Sequence, residues 1–242
     1  MNLPKLKDTE PAEKSGALYL VGTPIGNLSD ITARAIETLK QADIVAAEDT
    51  RHSQILLNHH NITATRLTSY HANNLDRATP ALLRELKKGK NVALISDAGS
   101  PGISDPGAVL VREAVNCGIT VIPVPGATAP ILAITASGFP SARFIFEGFL
   151  PRKKGRKTLF ESWTGEKRTI LFFESPKRIV KTLKEIRENV GDRKICVVRE
   201  LTKKFEEFLR GNIDDVIDNL EKRTQVKGEI TVVIAPENFD RK

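Results

Sequence analysis

Three short apolar runs in the first half of the chain each lead directly into a turn rich in glycine and proline. The turns are Gly22–Asn27, Asp97–Gly107 and Pro125–Thr128. Each run has the length of one buried strand, and the residues between runs carry apolar side chains at helical spacing, as in Ile31, Ala35 and Leu39. Asp30 is predicted to cap that first helix. Strands alternating with helices predict a mostly parallel sheet covered by helices.

The second half of the chain continues this alternation. Its predicted strands are Phe144–Phe149, Thr169–Phe173, Lys194–Val198 and Ile230–Ala235. Its predicted helices are Lys177–Asn189 and Ile213–Lys222. We therefore predict an N-terminal α/β domain over residues 17–130 and a C-terminal α/β domain over residues 131–242. Residues 1–16 are polar and carry both charge signs, and we predict that they form a flexible tail.

The bulk composition narrows the class of protein. The chain has 242 residues, of which 40% are hydrophobic, enough for a sizeable core. No apolar run approaches the roughly 20 residues of a membrane helix, and the N-terminus lacks the apolar middle of a signal peptide. Because the two cysteines, Cys117 and Cys196, are far apart, we expect no disulfide and a cytoplasmic location. The net charge of +7 favours a polyanionic partner such as nucleic acid.

The three turns follow strands, where open α/β sheets bind their ligands. Asp97–Gly107 holds three glycines, two prolines and two aspartates in eleven residues, more than a simple turn needs. Glycine lets a backbone approach a ligand closely, and proline stiffens the turn. The sequence has neither a phosphate-binding P-loop nor a dinucleotide-binding glycine motif. The turns therefore indicate a site for an extended ligand, although any one of them alone is equally well explained as a tight connection.

Charged residues mark two further segments. Glu48–Arg51 follows a predicted strand, where Asp49 or Thr50 would cap a helix and the charges could also orient a polar substrate. His71 follows another predicted strand end, where a substrate could pass.

The segment Pro151–Lys157 contains five cations and no acid. The cations are Arg152, Lys153, Lys154, Arg156 and Lys157. Such mutual repulsion predicts a mobile, solvated segment. It is either an ordinary solvated loop or a loop that contacts RNA phosphates, which would add salt dependence rather than sequence preference. With few aromatic residues nearby in the sequence, we expect base stacking to contribute little.

Eight segments carry a pattern that covers almost the whole chain after residue 16. They are Gly22–Leu28, Ala47–Arg51, Ser96–Gly107, Pro125–Thr128, Gly148–Lys153, Phe172–Arg178, Arg199–Glu206 and Lys227–Ile230. Together they resemble the ribosomal RNA small subunit methyltransferase I family, of the tetrapyrrole-methylase-like class. Ser96–Gly107 is the most specific of them.

The resemblance implies two α/β domains, the first with a mostly parallel sheet and the second with a mixed sheet, with S-adenosylmethionine in the cleft between them. It also implies a homodimer that methylates a cytidine ribose 2′-hydroxyl in the decoding region of 16S rRNA, on the small ribosomal subunit. The residues that it implies for the cofactor are Pro24, Ile25, Asp97, Ser100, Thr128, Ala129, Phe173 and Gly228.

Methyl transfer from a sulfonium needs no metal to expel the leaving group, and the four histidines lack the spacing of a metal site. We therefore expect no metal. A general base would help the ribose hydroxyl to react. The candidates at predicted strand ends are Glu48, Asp49, Glu174 and Lys203, with Arg51 placed to orient a phosphate. Two alternatives stay open: a tetrapyrrole or other small-molecule methyltransferase of the same fold, and a non-catalytic module that binds ribosomes.

Overall fold

The computed structural model describes residues 15–239. Most of the predicted tail, residues 1–14, lies outside this range. At its end, the Gly16 amide donates a 2.8 Å hydrogen bond to the Leu86 carbonyl, so Gly16 already belongs to the folded structure. No helix within residues 15–239 is both long and apolar enough to cross a membrane.

The described residues divide into two compact units. The first comprises the chain up to Pro24 together with Leu28–Ala127, and the second comprises Ile25–Asn27 together with the chain from Thr128 onward. The short excursion Ile25–Asn27 is held in the second unit by the Asn27 amide, which donates to Thr202 Oγ1 at 3.2 Å. One turn after the first strand therefore contributes residues to both units.

The first unit is a five-stranded sheet with helices. Its strands are β1 (Leu18–Val21), β2 (Ile44–Ala47), β3 (Leu67–Ser69), β4 (Val92–Ile95) and β5 (Val121–Val124), and its helices are α1 (Ala33–Gln41), α2 (Thr50–His59), α3 (Leu75–Lys87) and α4 (Gly107–Asn116). The strand order is β3-β2-β4-β1-β5, and every pairing is parallel. The predicted parallel sheet is confirmed.

Helix α1 begins differently from the prediction. Asp30 lies in a single 3-10 turn, Leu28–Asp30, and α1 is capped instead by Thr32, whose Oγ1 accepts from the Ala35 amide at 3.1 Å. The prediction that Asp30 caps this helix was wrong, because the extra turn moves the start of the helix two residues along. Leu39 is fully buried in the same helix, as its spacing predicts.

The second unit contains a mixed sheet, which confirms the predicted fold class. Its strands are β6 (Phe144–Phe149), β7 (Thr169–Glu174), β8 (Lys194–Arg199), β9 (Glu207–Asn212) and β10 (Ile230–Ile234), and its helices are α5 (Ala129–Ser137), α6 (Arg156–Ser162), α7 (Ile179–Val190) and α8 (Ile213–Glu221). The order is β6-β7-β10-β8-β9, with β6 parallel to β7 and the other pairs antiparallel. Strand β9 was not predicted, because this edge strand is only half-buried and lacks an apolar run.

Apolar side chains on one face of the second sheet pack against α6, α7 and α8. Phe172 of β7 stacks on Trp163 at 5.8 Å between ring centroids, and Leu183 of α7 is fully buried with them. Helix α5 contacts the opposite face through β7 and β10. A core on both faces fixes the sheet, and with it the positions of the residues that follow its strands.

Candidate functional site

The turns that follow β1, β4 and β5 meet at one edge of the first sheet. These strands are adjacent and parallel in the order β4-β1-β5, so their carboxyl ends point to the same side. We call this region the turn edge; within the first unit it consists of Gly22–Pro24, Asp97–Gly107 and Pro125–Ala127, together with Glu48, which follows the adjacent parallel strand β2. Ligands of open α/β sheets bind outside the carboxyl ends of the strands, so the turn edge is the candidate site of this unit.

Two glycines bring the first and third turns into backbone contact. A Cβ atom on Gly22 would lie 2.7 Å from the Gly126 Cα atom, and a Cβ atom on Gly126 would lie 2.6 Å from the Gly22 Cα atom. No larger residue fits at either position without moving the backbone. The requirement for glycine here is steric, and it leaves polar backbone rather than side chains at this point of the edge.

Hydrogen bonds tie the first turn to the second. The Thr23 amide donates to the Gly99 carbonyl at 2.9 Å, and the Gly99 amide donates back to the Thr23 carbonyl at 3.2 Å. The buried Thr23 hydroxyl also donates to the Ser96 carbonyl at 3.3 Å. The long second turn is thus fixed at its beginning by a short antiparallel bridge.

The two aspartates of the second turn, Asp97 and Asp105, have different hydrogen-bond partners and different roles. Asp105 accepts hydrogen bonds from the Gly102 amide at 2.8 Å and from the Gly107 amide at 2.6 Å, so it closes the turn and supports the start of α4. Asp97 Oδ1 accepts from the Asp49 amide at 2.9 Å, whereas Asp97 Oδ2 has no hydrogen bond within residues 15–239. Asp97 is half-buried and keeps one oxygen for a ligand donor.

Glu48 differs from Asp49, the other acid that follows β2. Burial of its carboxyl, followed by repulsion from the Asp97 and Asp105 carboxylates, raises the pKa of Glu48 above the ordinary 4.5. His71, which follows β3, is close enough to Glu48 to oppose this shift weakly. A carboxylate with a raised pKa is a stronger base once it is ionised, so Glu48 is the acid best suited to accept a proton here.

Asp49 and Arg51 form a surface pair at the start of α2. Asp49 Oδ1 accepts from the Arg51 amide at 2.8 Å, so of the two predicted caps it is Asp49, not Thr50, that caps the helix. The hydrogen bond from the Arg51 side chain holds the pKa of Asp49 at about 2, which makes this carboxylate a weak base. The Arg51 side chain is 91% exposed and remains accessible to solutes.

The positions that the resemblance implies for the cofactor are distributed over both units. Pro24 and Ile25 are buried, and Ser100, Thr128 and Ala129 are half-buried. Thr128 occupies the N-cap position of α5, but its side chain forms no capping hydrogen bond.

Phe173 and Gly228 are the corresponding positions in the sheet of the second unit. The Phe173 ring at the end of β7 contacts the rings of Phe146 and Phe149. Gly228 has φ +92°, and a Cβ atom there would collide with the Glu200 side chain. Only glycine meets both conditions at residue 228.

Glu174 is a structural residue in this geometry. Its side chain is fully buried and accepts hydrogen bonds from the Arg178 guanidinium at 2.8 Å and from the Thr182 hydroxyl at 2.7 Å. The Ser175 amide supplies a further donor at 2.7 Å. The Glu174 side chain has no exposed surface, and protein donors occupy both of its oxygens, so the structure argues against Glu174 as the base.

Lys203 is held as a cation. Its ammonium pairs with Glu229 at 3.1 Å and with Glu200 at 3.2 Å. Partial burial lowers the pKa of Lys203, but the hydrogen bonds to Glu229 and Glu200 outweigh burial and raise it overall. A lysine that keeps its proton so firmly does not serve as a base at neutral pH.

The structure divides the five cations of Pro151–Lys157 into different groups. Arg156 is buried; its guanidinium donates to Glu185 at 2.6 Å and to the Thr182 hydroxyl at 2.6 Å, and it lies over the Phe160 ring. The prediction of one mobile loop with five solvated cations was wrong for Arg156, because acids distant in sequence neutralise it and it begins α6. Lys157 is exposed with Glu161 3.8 Å away.

The remaining three cations are exposed. Arg152, Lys153 and Lys154 form no ion pair with any residue in the described range 15–239. We call these three residues the cationic loop. Within the same range, no group of three or more histidine, cysteine or acidic side chains could hold a metal ion.

Two features of these regions were not predicted from the sequence. The contact between Gly22 and Gly126 joins residues about a hundred positions apart, so only its glycines, not their contact, are visible in the chain. The aromatic contacts around Phe173 depend on an irregularity in β6, for which Gly148 inside the strand is a signal in the sequence.

The fold and the turn edge define an α/β protein of the tetrapyrrole methylase class. The family model for Tetrapyrrole (Corrin/Porphyrin) Methylases matches residues 17–217. Among solved structures, a diphthine synthase superposes with a TM-score of 0.69 at 17% identity, covering 91% of this chain and 90% of that chain. Uroporphyrin-III C-methyl transferase from Thermus thermophilus, complexed with S-adenyl homocysteine, gives 0.62 at 21% identity, covering 91% and 97%. At these identities the likeness concerns the fold.

Sequence relatives are much closer. The Thermotoga maritima protein named Ribosomal RNA small subunit methyltransferase I is 49% identical over 220 residues, which cover 91% of this chain and 98% of that protein. The Bacillus subtilis protein of the same name is 48% identical, covering 92% of this chain and 76% of that protein. The chain belongs to the ribosomal RNA small subunit methyltransferase I family. The names of these relatives and the fold together support methyltransferase activity.

Proposed function

We propose that this protein uses S-adenosylmethionine to methylate the 2′-hydroxyl of a cytidine ribose in the decoding region of 16S rRNA, on the small ribosomal subunit. Membership of the family supports the rRNA substrate. The observation that carries the proposal is the turn edge, where backbone turns fixed by Gly22, Gly126 and the Thr23–Gly99 bridge leave one oxygen of Asp97 available.

The turn edge fits the chemistry of this cofactor. S-adenosylmethionine carries a sulfonium and an ammonium, and the edge presents the carboxylates of Glu48 and Asp97 together with polar backbone. Asp97 Oδ2 would accept from the ammonium or a ribose hydroxyl. The residues proposed to hold the cofactor are Pro24, Ile25, Asp97, Ser100, Thr128, Ala129, Phe173 and Gly228. When bound, the cofactor supplies an electrophilic methyl group, and the leaving sulfur needs no metal.

The protein has two tasks in the reaction. It must align the ribose oxygen with the methyl group, and positioning of this kind contributes up to roughly 7–11 kcal/mol in well-oriented systems. It must also take the hydroxyl proton as the oxygen attacks. We assign this proton to the Glu48 carboxylate, because Asp49 is too acidic, Glu174 is fully engaged and Lys203 keeps its proton.

The RNA would be held by charge. We propose that the cationic loop contacts phosphates, with Lys157 at its margin and with Arg51 and His71 on the first unit as further contacts. Arg156 is excluded from this set because it is buried in the second unit. As parts of the same proposal, the protein acts in the cytoplasm and as a homodimer.

A transfer assay tests the substrate. Labelled S-adenosylmethionine is incubated with the protein and either small ribosomal subunits, free rRNA or a tetrapyrrole precursor, and the label is mapped to a nucleotide and to the ribose. We expect label on the ribose of a cytidine in small subunits. Label on the tetrapyrrole alone would show a small-molecule methyltransferase, and label on a base would refute 2′-hydroxyl chemistry.

Calorimetry tests the cofactor site separately. Asp97→Asn should weaken cofactor binding, because the amide presents an N–H where the ammonium needs an acceptor, whereas the exposed Glu37→Gln on α1 should bind as the parent does. A parent protein that gives no binding heat would instead be a non-catalytic ribosome-binding module.

A further inference from the structure

Three phenylalanines gather at the carboxyl end of β6 and β7 in the second unit. The Phe173 ring lies 5.1 Å from the Phe146 ring and 5.2 Å from the Phe149 ring, measured between centroids. Phe146 and Phe173 are half-buried, but Phe149 is 62% exposed. Phe149 thus rests on a supported aromatic ring while most of its own surface faces solvent.

A bulge in β6 creates this arrangement. Phe146 pairs with Leu171 and Phe149 pairs with Phe173, so three steps along β6 match two steps along β7. Without the extra residue, side chains three positions apart would point to opposite faces of the sheet. The bulge turns Phe149 to the same face as Phe146, and Gly148 at φ +63° provides the left-handed backbone that it requires.

Cations follow the exposed ring closely along the chain. Arg152 follows Phe149 by three residues, so their Cα atoms are at most about 11 Å apart. Both ends of the intervening segment are anchored, because Leu150 is buried and the Arg156 guanidinium donates to the Pro151 carbonyl at 2.9 Å. Lys177, exposed and without an ion pair in the described range, follows the parallel neighbour β7 at the same edge.

We infer, against the expectation from the sequence that base stacking contributes little, that Phe149 is a stacking platform for an unpaired base of RNA, with the cationic loop holding the adjoining phosphates. Aromatic rings beside cations are the combination with which proteins bind single-stranded nucleic acid, since every base has a face that stacks and every linkage carries a charge. Unpaired cations also disfavour a second copy of this +7 chain as the partner of this surface. The inference rests on the proposed function in taking RNA as the ligand and adds that the recognised nucleotides are unpaired.

A binding titration tests the platform with a short single-stranded cytidine oligonucleotide and an RNA duplex. Phe149→Ala should lower affinity for the single strand about tenfold and leave the salt slope and the duplex affinity unchanged, because stacking is lost but no charge. Phe149→Tyr should retain the affinity. Changing Arg152, Lys153 and Lys154 to Gln should reduce the salt slope for the single strand by about 2 and weaken both ligands.

A fluorescence signal gives an independent reading. Trp163 is the single tryptophan and is buried, so Phe149→Trp introduces an exposed reporter. Its emission should be quenched by the single strand and much less by the duplex, whereas the parent protein should show no change. The matched control for Phe149→Ala in the binding titration is Ile55→Ala, which removes from the first unit an apolar side chain that is also 62% exposed.

Several results would overturn the platform. They are single-strand affinity unchanged by Phe149→Ala, quenching of Phe149→Trp that is equal for both ligands, and dissociation of an oligomer by Phe149→Ala in sedimentation with normal RNA binding. Failure of the proposed function can be distinguished from these results. If the protein methylates rRNA but Phe149→Ala binds the single strand as the parent does, only the stacking platform is refuted. If the protein binds single strands through Phe149 but does not methylate rRNA, only the proposed reaction is refuted.

Discussion

The carboxyl ends of the parallel strands in the first sheet and those of β6 and β7 in the second sheet contrast sharply in chemistry. At the turn edge of the first unit, glycine contacts and backbone hydrogen bonds fix the turns, and the charged groups are the acids Glu48, Asp97 and Asp105. At the end of β6 and β7 in the second unit, side chains dominate: the exposed ring of Phe149 and the cationic loop.

This difference suggests a division of labour. An edge of rigid backbone and carboxylates suits a compact cationic ligand, because close approach and negative charge both favour a sulfonium and an ammonium. An edge of cations and aromatic rings suits a flexible polyanion with flat bases. The net charge of +7 describes neither edge, since it averages over two regions of opposite character.

The largest expected effect concerns the acid of the turn edge. Glu48→Gln should lower kcat by roughly 100- to 10,000-fold, the usual contribution of a general base, and weaken cofactor binding less than Asp97→Asn does. Single-turnover methyl transfer together with calorimetry would measure this split. Glu37→Gln provides the exposed control. If Glu48→Gln keeps full activity and Asp49→Asn abolishes it, our assignment of the two acids is reversed.

Measurements of unfolding free energy should distinguish the buried cation Arg156 from the exposed cation Lys154 in the second unit. Arg156→Gln should lower the free energy of unfolding by about 3 kcal/mol, because it leaves Glu185 and the buried Glu174 with fewer partners. Lys154→Gln, which removes an exposed unpaired cation, should change it by less than about 0.5 kcal/mol. Urea unfolding of both variants measures the difference. Equal effects would mean that the burial of Arg156 contributes nothing.

The rigidity of the turn edge has its own test. Gly126→Ala should destabilise the protein by about 1–3 kcal/mol and weaken cofactor binding, because its Cβ atom has no room beside Gly22. Gly211→Ala in β9 is the matched control, since its Cβ atom would meet neighbours no closer than 3.7 Å. Thermal unfolding with and without cofactor would measure both effects. A cost as small as that of the control would show that the turns adapt.

The smallest effect is a change of stability with pH. The raised pKa of Glu48 means that the folded state holds this proton more tightly than the unfolded state does. Ionising Glu48 therefore costs stability as the pH rises above its ordinary 4.5, and the cost is complete above the raised pKa. Glu48→Gln should melt at a higher temperature than the parent at pH 7, and the difference should vanish below pH about 4. A lower melting temperature at pH 7 would contradict the shift.

Particular residues show what the sequence could predict. The helix from Thr50 and its cap at Asp49 follow from local rules, because a cap is a contact between near neighbours. Local reasoning misplaced the start of α1 by only two residues. It failed for Arg156, whose partners Thr182 and Glu185 lie on another helix, 26 and 29 residues away.

The sequence by itself determined the alternation of strands and helices, the three turns at strand ends and the family, since all of these are patterns among neighbouring residues or motifs of a few residues along the chain. Only the tertiary structure decided that Gly22 meets Gly126, that Glu48 lies near Asp105, and that a bulge turns Phe149 outward onto Phe173. The physical reason is that burial, steric exclusion and charge repulsion act between atoms close in space, and the order of strands in a sheet sets which atoms those are.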